Sequence, residues 1–265
     1  MTYIDKNANI IKDPNIKRLV EYKEGDKQVN VLDSRFYKRA SGYYPSVTSV
    51  LNYFPKNQYF HTWLKEVGAN ADIIARKAAD EGTQVHNAAE RFINGEEIKW
   101  IDDWGKAQYS LDVWKMILKF AEFWNTYKPV LVAAEYHLFS DEHQFAGTAD
   151  LIVRFEDKLW LMDIKTSKSI HTSHYLQLAA YAKAWNETHN EPIEETGILW
   201  LKSSTRATSK EGSGKVQGKG WELKTVGEID KNFDMFKNVY AIYKLENPNF
   251  KPHTEILPVS VKVDF

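Results

Sequence analysis

Cysteine is missing altogether from this chain of 265 residues. Its absence rules out disulfides, thiolate nucleophiles, zinc–thiolate centres and iron–sulfur clusters. Any metal has to be held by Asp, Glu, His and backbone oxygen, the ligands that suit magnesium, manganese or calcium. Long apolar runs are missing too: nothing approaches the roughly 18 residues of a membrane-spanning helix. The start, Met1-Thr2-Tyr3-Ile4-Asp5, has no basic stretch followed by an apolar one, and it is not the Arg-rich, acid-poor start of a transit peptide. A cytoplasmic chain with no membrane partner is expected. Net positive charge is the third absence. The 35 Lys and Arg are met by 36 Asp and Glu, for a net charge of −1. A nucleic acid would have to be drawn by local basic patches and a metal, not by a global field.

Hydrophobic residues at 43% and charged residues at 27% are the proportions of a soluble globular protein, and 265 residues can bury a full core. Residues 1–40 read as short strands and turns, with a weak alternation in Val29-Asn30-Val31-Leu32. Ser46 is expected to cap a short helix that ends by Pro55. Residues 57–79 are helical in pattern. Gly82-Thr83 is expected to break the chain and cap a second helix over 84–93, which stops at Asn94-Gly95. A longer helix is expected over 106–127. It carries two apolar lines, Leu111, Trp114, Leu118 and Ala121 beside Val113, Ile117, Phe120 and Trp124, which predict packing on two sides.

After Pro129 the pattern turns to strand at 130–139, 149–155 and 159–164, the last two joined by a polar turn at Glu156-Asp157-Lys158. A helix over 173–188 and an apolar strand over 197–202 follow. Residues 203–220, rich in Ser, Thr, Gly and Lys, read as a mobile basic loop or hairpin tip. The final helix, 230–245, has Phe233, Phe236, Val239, Tyr240 and Tyr243 on one face. There is no internal repeat or low-complexity tract. The fold class is α/β: a mixed central sheet flanked by helices, with a helical lobe in the N-terminal half. A single domain is expected over 1–265. Its parts are a β-rich extension (1–43), a helical part (44–128), a catalytic core (129–202), the basic loop (203–220) and a C-terminal helix and tail (221–265).

The chemistry gathers in Gly147-Thr148-Ala149-Asp150, then twelve residues, then Asp163-Ile164-Lys165. If the hairpin loop is Glu156-Asp157, Phe155 pairs with Lys158 and Asp150 falls opposite Asp163, with Cβ atoms about 5 Å apart. A one-residue slip would separate the two acids. Carboxylates that close repel unless a cation lies between them. Lys165, two residues after Asp163, projects from the same face. A divalent ion there would bind a phosphate oxygen and acidify a bound water, and a lysine beside that water would orient or deprotonate it. Asp-x-Lys alone is a common surface ion pair. Here it ends the apolar run Leu159-Trp160-Leu161-Met162, which places it at the edge of a buried strand. Gln177 and Tyr181 lie four apart and share a helix face, either as core or as support for the site. His86 is either structural or a metal ligand. Glu135, an acid in an apolar strand, needs a partner, which could be Lys165 or the metal.

Gly-Thr-x-x-His at 82–86, Gly-x-x-Asp at 147–150, Asp-x-Lys at 163–165 and Gln-Leu-x-x-Tyr at 177–181 resemble the PD-(D/E)XK nuclease superfamily. More narrowly they resemble its RecB-like branch, including phage exonucleases and the mitochondrial genome maintenance exonuclease. Tyr44-Pro45-Ser46-Val47-Thr48-Ser49-Val50-Leu51 is similar to the start of that nuclease region. The resemblance implies a restriction-endonuclease-like fold and a Mg²⁺- or Mn²⁺-dependent DNA exonuclease acting on single strands or ends in replication, recombination or repair, in a bacterial cell or a phage-infected host. A structure-specific endonuclease and a catalytically silent DNA-binding protein are the alternatives. It also implies His86, Asp150, Asp163 and the Ile164 carbonyl as metal ligands. Lys165 would serve the water, Glu135 would be an auxiliary acid, and Gln177 and Tyr181 would act as support. In the mitochondrial relative helices form an arch over the strand, and the resemblance makes the helical patterns at 57–79 and 106–127 the candidates for one here, although their periodicity does not show it. Arg35, Lys38, Arg39, Ser46, Thr48, Lys202 and Arg206, with Lys210, Lys215 and Lys219, are the residues expected to hold DNA.

Overall fold

The computed structural model describes residues 34–39, 41–202 and 216–248, together with the backbone of four short strand segments before them. Strands β1 (Tyr3–Ile4) and β2 (Ile10–Ile11) pair antiparallel. Strands β3 (Glu21–Tyr22), β4 (Gln28–Val31), β5 (Ser34–Arg39) and β6 (Gly42–Pro45) form an antiparallel sheet in chain order. Helix α1 (Val47–Leu51) follows at once. Ser46 caps it, its Oγ accepting from Ser49 N–H at 3.0 Å.

The expected helices of the N-terminal half are divided differently. Helix α2 (Gln58–Val67) is capped by Asn57 and ends where Gly68 takes φ 55°. A 3-10 turn (Gly68–Asn70) leads into α3 (Ala71–Ile93), which runs through Gly82-Thr83 without a break. That corrects the expected cap. Thr83 Oγ1 donates to Ala79 O at 3.1 Å, so its hydroxyl is satisfied inside the helix. Gly82 is a point of close approach: a Cβ there would lie 3.2 Å from Thr166 Oγ1. No residue from Asn52 to Gln84 is buried, so this stretch stands out from the core as a helical lobe.

Helix α4 (Leu111–Tyr127) starts later than expected, because Ser110 caps it and Ala107 is drawn into a bridge with Ile101. Among the described residues it packs on one side, not two. Val113, Met116, Ile117, Phe120 and Phe123 are buried, whereas Leu111 and Leu118 are 53% and 50% exposed. Lys128, in the left-handed region at φ 47°, and Pro129 end it.

The main sheet contains β7 (Val130–Ser140), β8 (Phe145–Phe155), β9 (Lys158–Lys165), β10 (Glu195–Trp200), β11 (Val216–Gly218) and β12 (Trp221–Val226). Its order is β11-β12-β10-β9-β8-β7. β9 and β10 are parallel, joined by helix α5 (Thr172–Thr188), and the other pairs are antiparallel. This is the mixed α/β sheet expected. The β11–β12 hairpin is an addition: residues 216–220 are strand and tight turn, and a strand precedes the last helix, α6 (Ile229–Glu246). One face of the sheet packs on α1, α5 and α6 through Ile152, Leu159, Leu161 and Ile198. The other packs on α3 and α4 through Leu151, Val153, Met162, Ile164 and Leu199. The core therefore lies on both faces, and the polar residues of β7, β8 and β9 emerge between the two helical layers. No helix among the described residues is long and apolar enough to cross a membrane.

Candidate active site

Glu156 and Asp157 both take positive φ, 49° and 59°, in the two-residue loop between β8 and β9. Such a primed turn matches strand twist and fixes the register. Phe155 pairs with Lys158 and Leu151 with Met162. The next step of that register sets Asp150 opposite Asp163. On the other side, Ala134 pairs with Leu151 and Tyr136 with Ala149, so Glu135 faces Asp150. Three acids thus lie abreast on three adjacent strands.

Glu135 has φ 46°, a conformation an L side chain rarely adopts in a strand. The alternation of the two strands slips there. Phe145, Ala149 and Ile152 share one face of β8, although the last two are three residues apart. Backbone strain of this kind is kept where the surroundings hold it. Here it accompanies the convergence of two carboxylates on His86 of α3. His86 Nδ1 lies 3.5 Å from Asp150 Oδ1 and 3.9 Å from Glu135 Oε1. His86 Nε2 is 3.0 Å from the Ile164 carbonyl, and Asp150 Oδ2 accepts from Ile164 N–H at 2.7 Å.

The second half of the site is closed. Lys165 Nζ lies 2.9 Å from Asp163 Oδ1 and 2.7 Å from Oδ2. Gln177 Nε2 donates to Asp163 Oδ1 at 3.1 Å, and Gln177 Oε1 accepts from Lys165 Nζ at 3.2 Å. Asp163 Oδ2 is buried and accepts no well-directed hydrogen bond. Tyr181, one turn along α5, has its hydroxyl 3.4 Å from Gln177 Nε2. Its ring lies flat against Gly147: a Cβ there would stand 2.1 Å from Tyr181 Cε1, so only glycine fits.

Burial pushes the Asp163 carboxyl up; Lys165 pulls it down and Asp150 raises it again, for a value of about 6. Asp150 ends below the ordinary carboxylate range. Burial opposes that, but His86, then Lys165 and the Ile164 N–H, outweigh it. Burial also works against the His86 imidazolium, yet Asp150, Glu135 and Asp163 hold it well above its usual range. His174 on α5 is driven down to about 3, by burial first and then by Lys165.

These groups line one open cleft of about 650 Å³. Residues 49–254 match the family model of the PD-(D/E)XK nuclease superfamily. The chain belongs to that superfamily. No curated protein matches it. The chemistry of the superfamily is metal-dependent cleavage of nucleic acids, and the donor set suits a divalent ion. His86, Glu135 and Asp150 each offer a ligand atom within 4.8 Å of the others. Oxygens bound to one Mg²⁺ at about 2.1 Å stand roughly 3–4 Å apart, close to the separations found here. The buried Oδ2 of Asp163 is a further acceptor lacking a directed donor.

In this nuclease the expected residues come together with two changes. Glu135, expected as an auxiliary acid, stands among the candidate ligands with Asp150, whereas Asp163 is held by Lys165 and Gln177. The Ile164 carbonyl faces His86 Nε2, which leaves Nδ1 to face the acids. Arg35 and Thr48 line the cleft. Ser46 does not: it is 1% exposed and spent on the α1 cap, which corrects the expectation that it holds DNA. Arg39 is committed to Asp141 and lies over the Phe139 ring. Lys38 and Lys219 are exposed and absent from the cleft lining, and Lys202 lies 3.7 Å from Glu81. Arg206, Lys210 and Lys215 fall outside the described residues. His174 and Glu90 also line the cleft. Their signal is helical spacing, three residues before Gln177 and four after His86.

Proposed function

We propose that this nuclease is a Mg²⁺- or Mn²⁺-dependent exodeoxyribonuclease of RecB-like type, acting on single-stranded DNA or DNA ends. What supports it is one arrangement: His86, Asp150, Asp163, Lys165, Gln177 and Tyr181 meet in a single open cleft, in the order of the RecB-like motifs. His86 Nδ1, Asp150, Glu135 and Asp163 Oδ2 would hold the ion, with the Ile164 carbonyl orienting the imidazole. The ion would supply Lewis acidity at the phosphate and an acidified water. Lys165 would orient that water, with Asp163 and Gln177 holding its amine in place. Gln177 holds the pair in register, and Tyr181 backs Gln177. Arg35 and Thr48, on the cleft wall, would meet the strand.

The test uses end-labelled linear single strands and a covalently closed single-stranded circle, each with Mg²⁺ and with EDTA. Release from the linear strand only, dependent on Mg²⁺ and lost in Asp163→Ala, is expected. A circle cut as fast as the linear strand would replace the exonuclease by an endonuclease. No cleavage of either by the wild-type chain would sink the catalytic reading.

A further inference from the structure

A strand that enters the cleft has to leave it over the surface alongside, and a group of amines stands beside the cleft without lining it. Leu201 N–H donates to Lys165 O at 2.9 Å, so the chain after β10 runs on from the reacting edge. Lys119 reaches across from α4, its Nζ donating to Leu201 O at 2.9 Å. Lys202, the next residue, has its Nζ 3.7 Å from Glu81 Oε2. Lys77, a turn earlier on α3, lies 3.9 Å from Glu81 Oε1. Lys115 stands exposed one turn before Lys119. Lys77 and Lys202 therefore share one carboxylate, Glu81, in a chain whose net charge is −1. The half-buried Lys119 amine is held below its usual range by burial, then by repulsion from Lys202 and Lys115. Glu81 precedes Gly82, which lines the cleft. Trp200 pairs with Lys165 in the sheet, so Lys202 follows two residues on from the strand edge that carries Lys165.

We propose that Lys77, Lys115, Lys119 and Lys202 form a phosphate-binding tract that holds the nucleic-acid backbone beyond the scissile bond. The inference rests on the nuclease reading above. Amines on flexible stems act as point charges towards phosphate and carry no sequence information. Lys119, pinned to the Leu201 carbonyl, is the fixed member. Lys115 is the adaptable one. Glu81 sits between Lys77 and Lys202 and spaces them while no strand is bound.

The test is fluorescence anisotropy with the full chain and a labelled oligothymidylate of about 12 nucleotides, a length within the range of single-strand binding sites. Ca²⁺ replaces Mg²⁺, and the strand is checked for integrity. Affinity is read against salt. Lys115→Gln with Lys119→Gln should flatten the slope of log affinity on log salt by about 0.7 per lost contact. Affinity should fall about 10-fold. The loss should be smaller for a strand of about 3 nucleotides, too short to span cleft and tract. Lys115→Arg with Lys119→Arg should restore binding. A Gln pair that binds with the wild-type slope overturns the tract, and so does an Arg pair as weak as the Gln pair. A folded wild-type chain that binds neither strand sinks the nuclease reading itself, a separate outcome.

Discussion

The two halves of the cleft satisfy their acids in opposite ways. Around Asp163 the polar groups are joined at 2.7–3.2 Å, with Lys165 and Gln177 as partners of the carboxylate and of each other. Around His86 the separations to Asp150 and Glu135 are 3.5 and 3.9 Å, longer than a good hydrogen bond. One half is finished by the chain alone. The other is held apart, by a helix on one side and a strained strand residue on the other, at a distance that suits something between the ligands. The two parts meet at Asp163, whose Oδ2 is the further proposed ligand; the groups on either side of it are separable, and substitutions there should divide along that line.

The widest separation is expected between Lys165→Ala and Asp150→Asn. Both should slow cleavage by about 10³-fold. Their effects on the fold should differ. Asn at 150 keeps an acceptor for the Ile164 N–H and His86 can give up its proton, so stability without metal should fall less than in Lys165→Ala while metal affinity falls. Ala at 165 strands a buried carboxylate, which costs about 3 kcal/mol when one partner of a buried pair is removed. That cost should shrink below pH 6, because Asp163, raised to about 6, is then protonated. Chemical denaturation of both variants at pH 5 and pH 8, on either side of the Asp163 titration, would show it. Equal losses of stability for the two variants would erase the distinction between the halves.

Acidity sharpens the same contrast. Asp163 titrates in the folded chain above its ordinary range, so its contribution to stability is complete below about pH 4 and is lost as pH rises through about 6. His86 is raised as well, and its contribution is lost at higher pH still. Asp150 is lowered, so its share fails only as pH falls below the ordinary carboxylate range. The metal-free chain should thus melt at progressively lower temperature as pH rises from about 4 to about 6 through this group, and Asp163→Asn should remove that part of the slope. An ion at Nδ1 has to displace the His86 proton, so binding should release protons and tighten with pH. Calorimetry of Mn²⁺ binding in two buffers of different ionisation enthalpy measures the release. Uncorrected heats that are the same in both buffers would mean no proton is released and would show that His86 is not a ligand.

Much of the closed half is legible in the sequence. A two-residue loop between two apolar strands sets the register, and the register places Asp150 against Asp163 and Lys165 on the face of Asp163. Four-residue spacing on α5 brings Gln177 and Tyr181 to one side. The open half is less legible, because it depends on Glu135 at φ 46°, and no propensity announces a left-handed glutamate within a strand. Gly82 misleads for a related reason. Glycine usually marks a helix end, but here it serves the approach of α3 to Thr166 and leaves the helix intact. The two apolar lines of α4 predict two packed sides, yet the layer that would cover Leu111 and Leu118 is absent among the described residues. Strand β12 has a readable signal, Trp221 and Leu223 alternating with Glu222 and Lys224, which a division of the chain into loop and tail passes over.

The smallest effect tests whether the closed half is set by packing as well as by charge. Gly147 lies against the Tyr181 ring so tightly that a methyl group would have to displace Tyr181 Cε1 and Cζ, at 2.1 and 2.7 Å. Tyr181 is buried midway along α5 and cannot swing to solvent, so the strand or the helix must shift. Overpacking of this kind costs about 1–3 kcal/mol. A shift of the ring is passed to Gln177, whose amide lies 3.4 Å from the Tyr181 hydroxyl, and through Gln177 to Lys165. Gly147→Ala should therefore lose a few degrees of melting temperature and slow cleavage, while Mn²⁺ affinity at the open half stays near that of the parent. Adding Tyr181→Leu frees the space and should recover stability without recovering the full rate, because Leu cannot meet the Gln177 amide. Should Gly147→Ala weaken Mn²⁺ binding as strongly as it slows cleavage, the two halves respond as one unit, and the separation drawn from their distances does not hold.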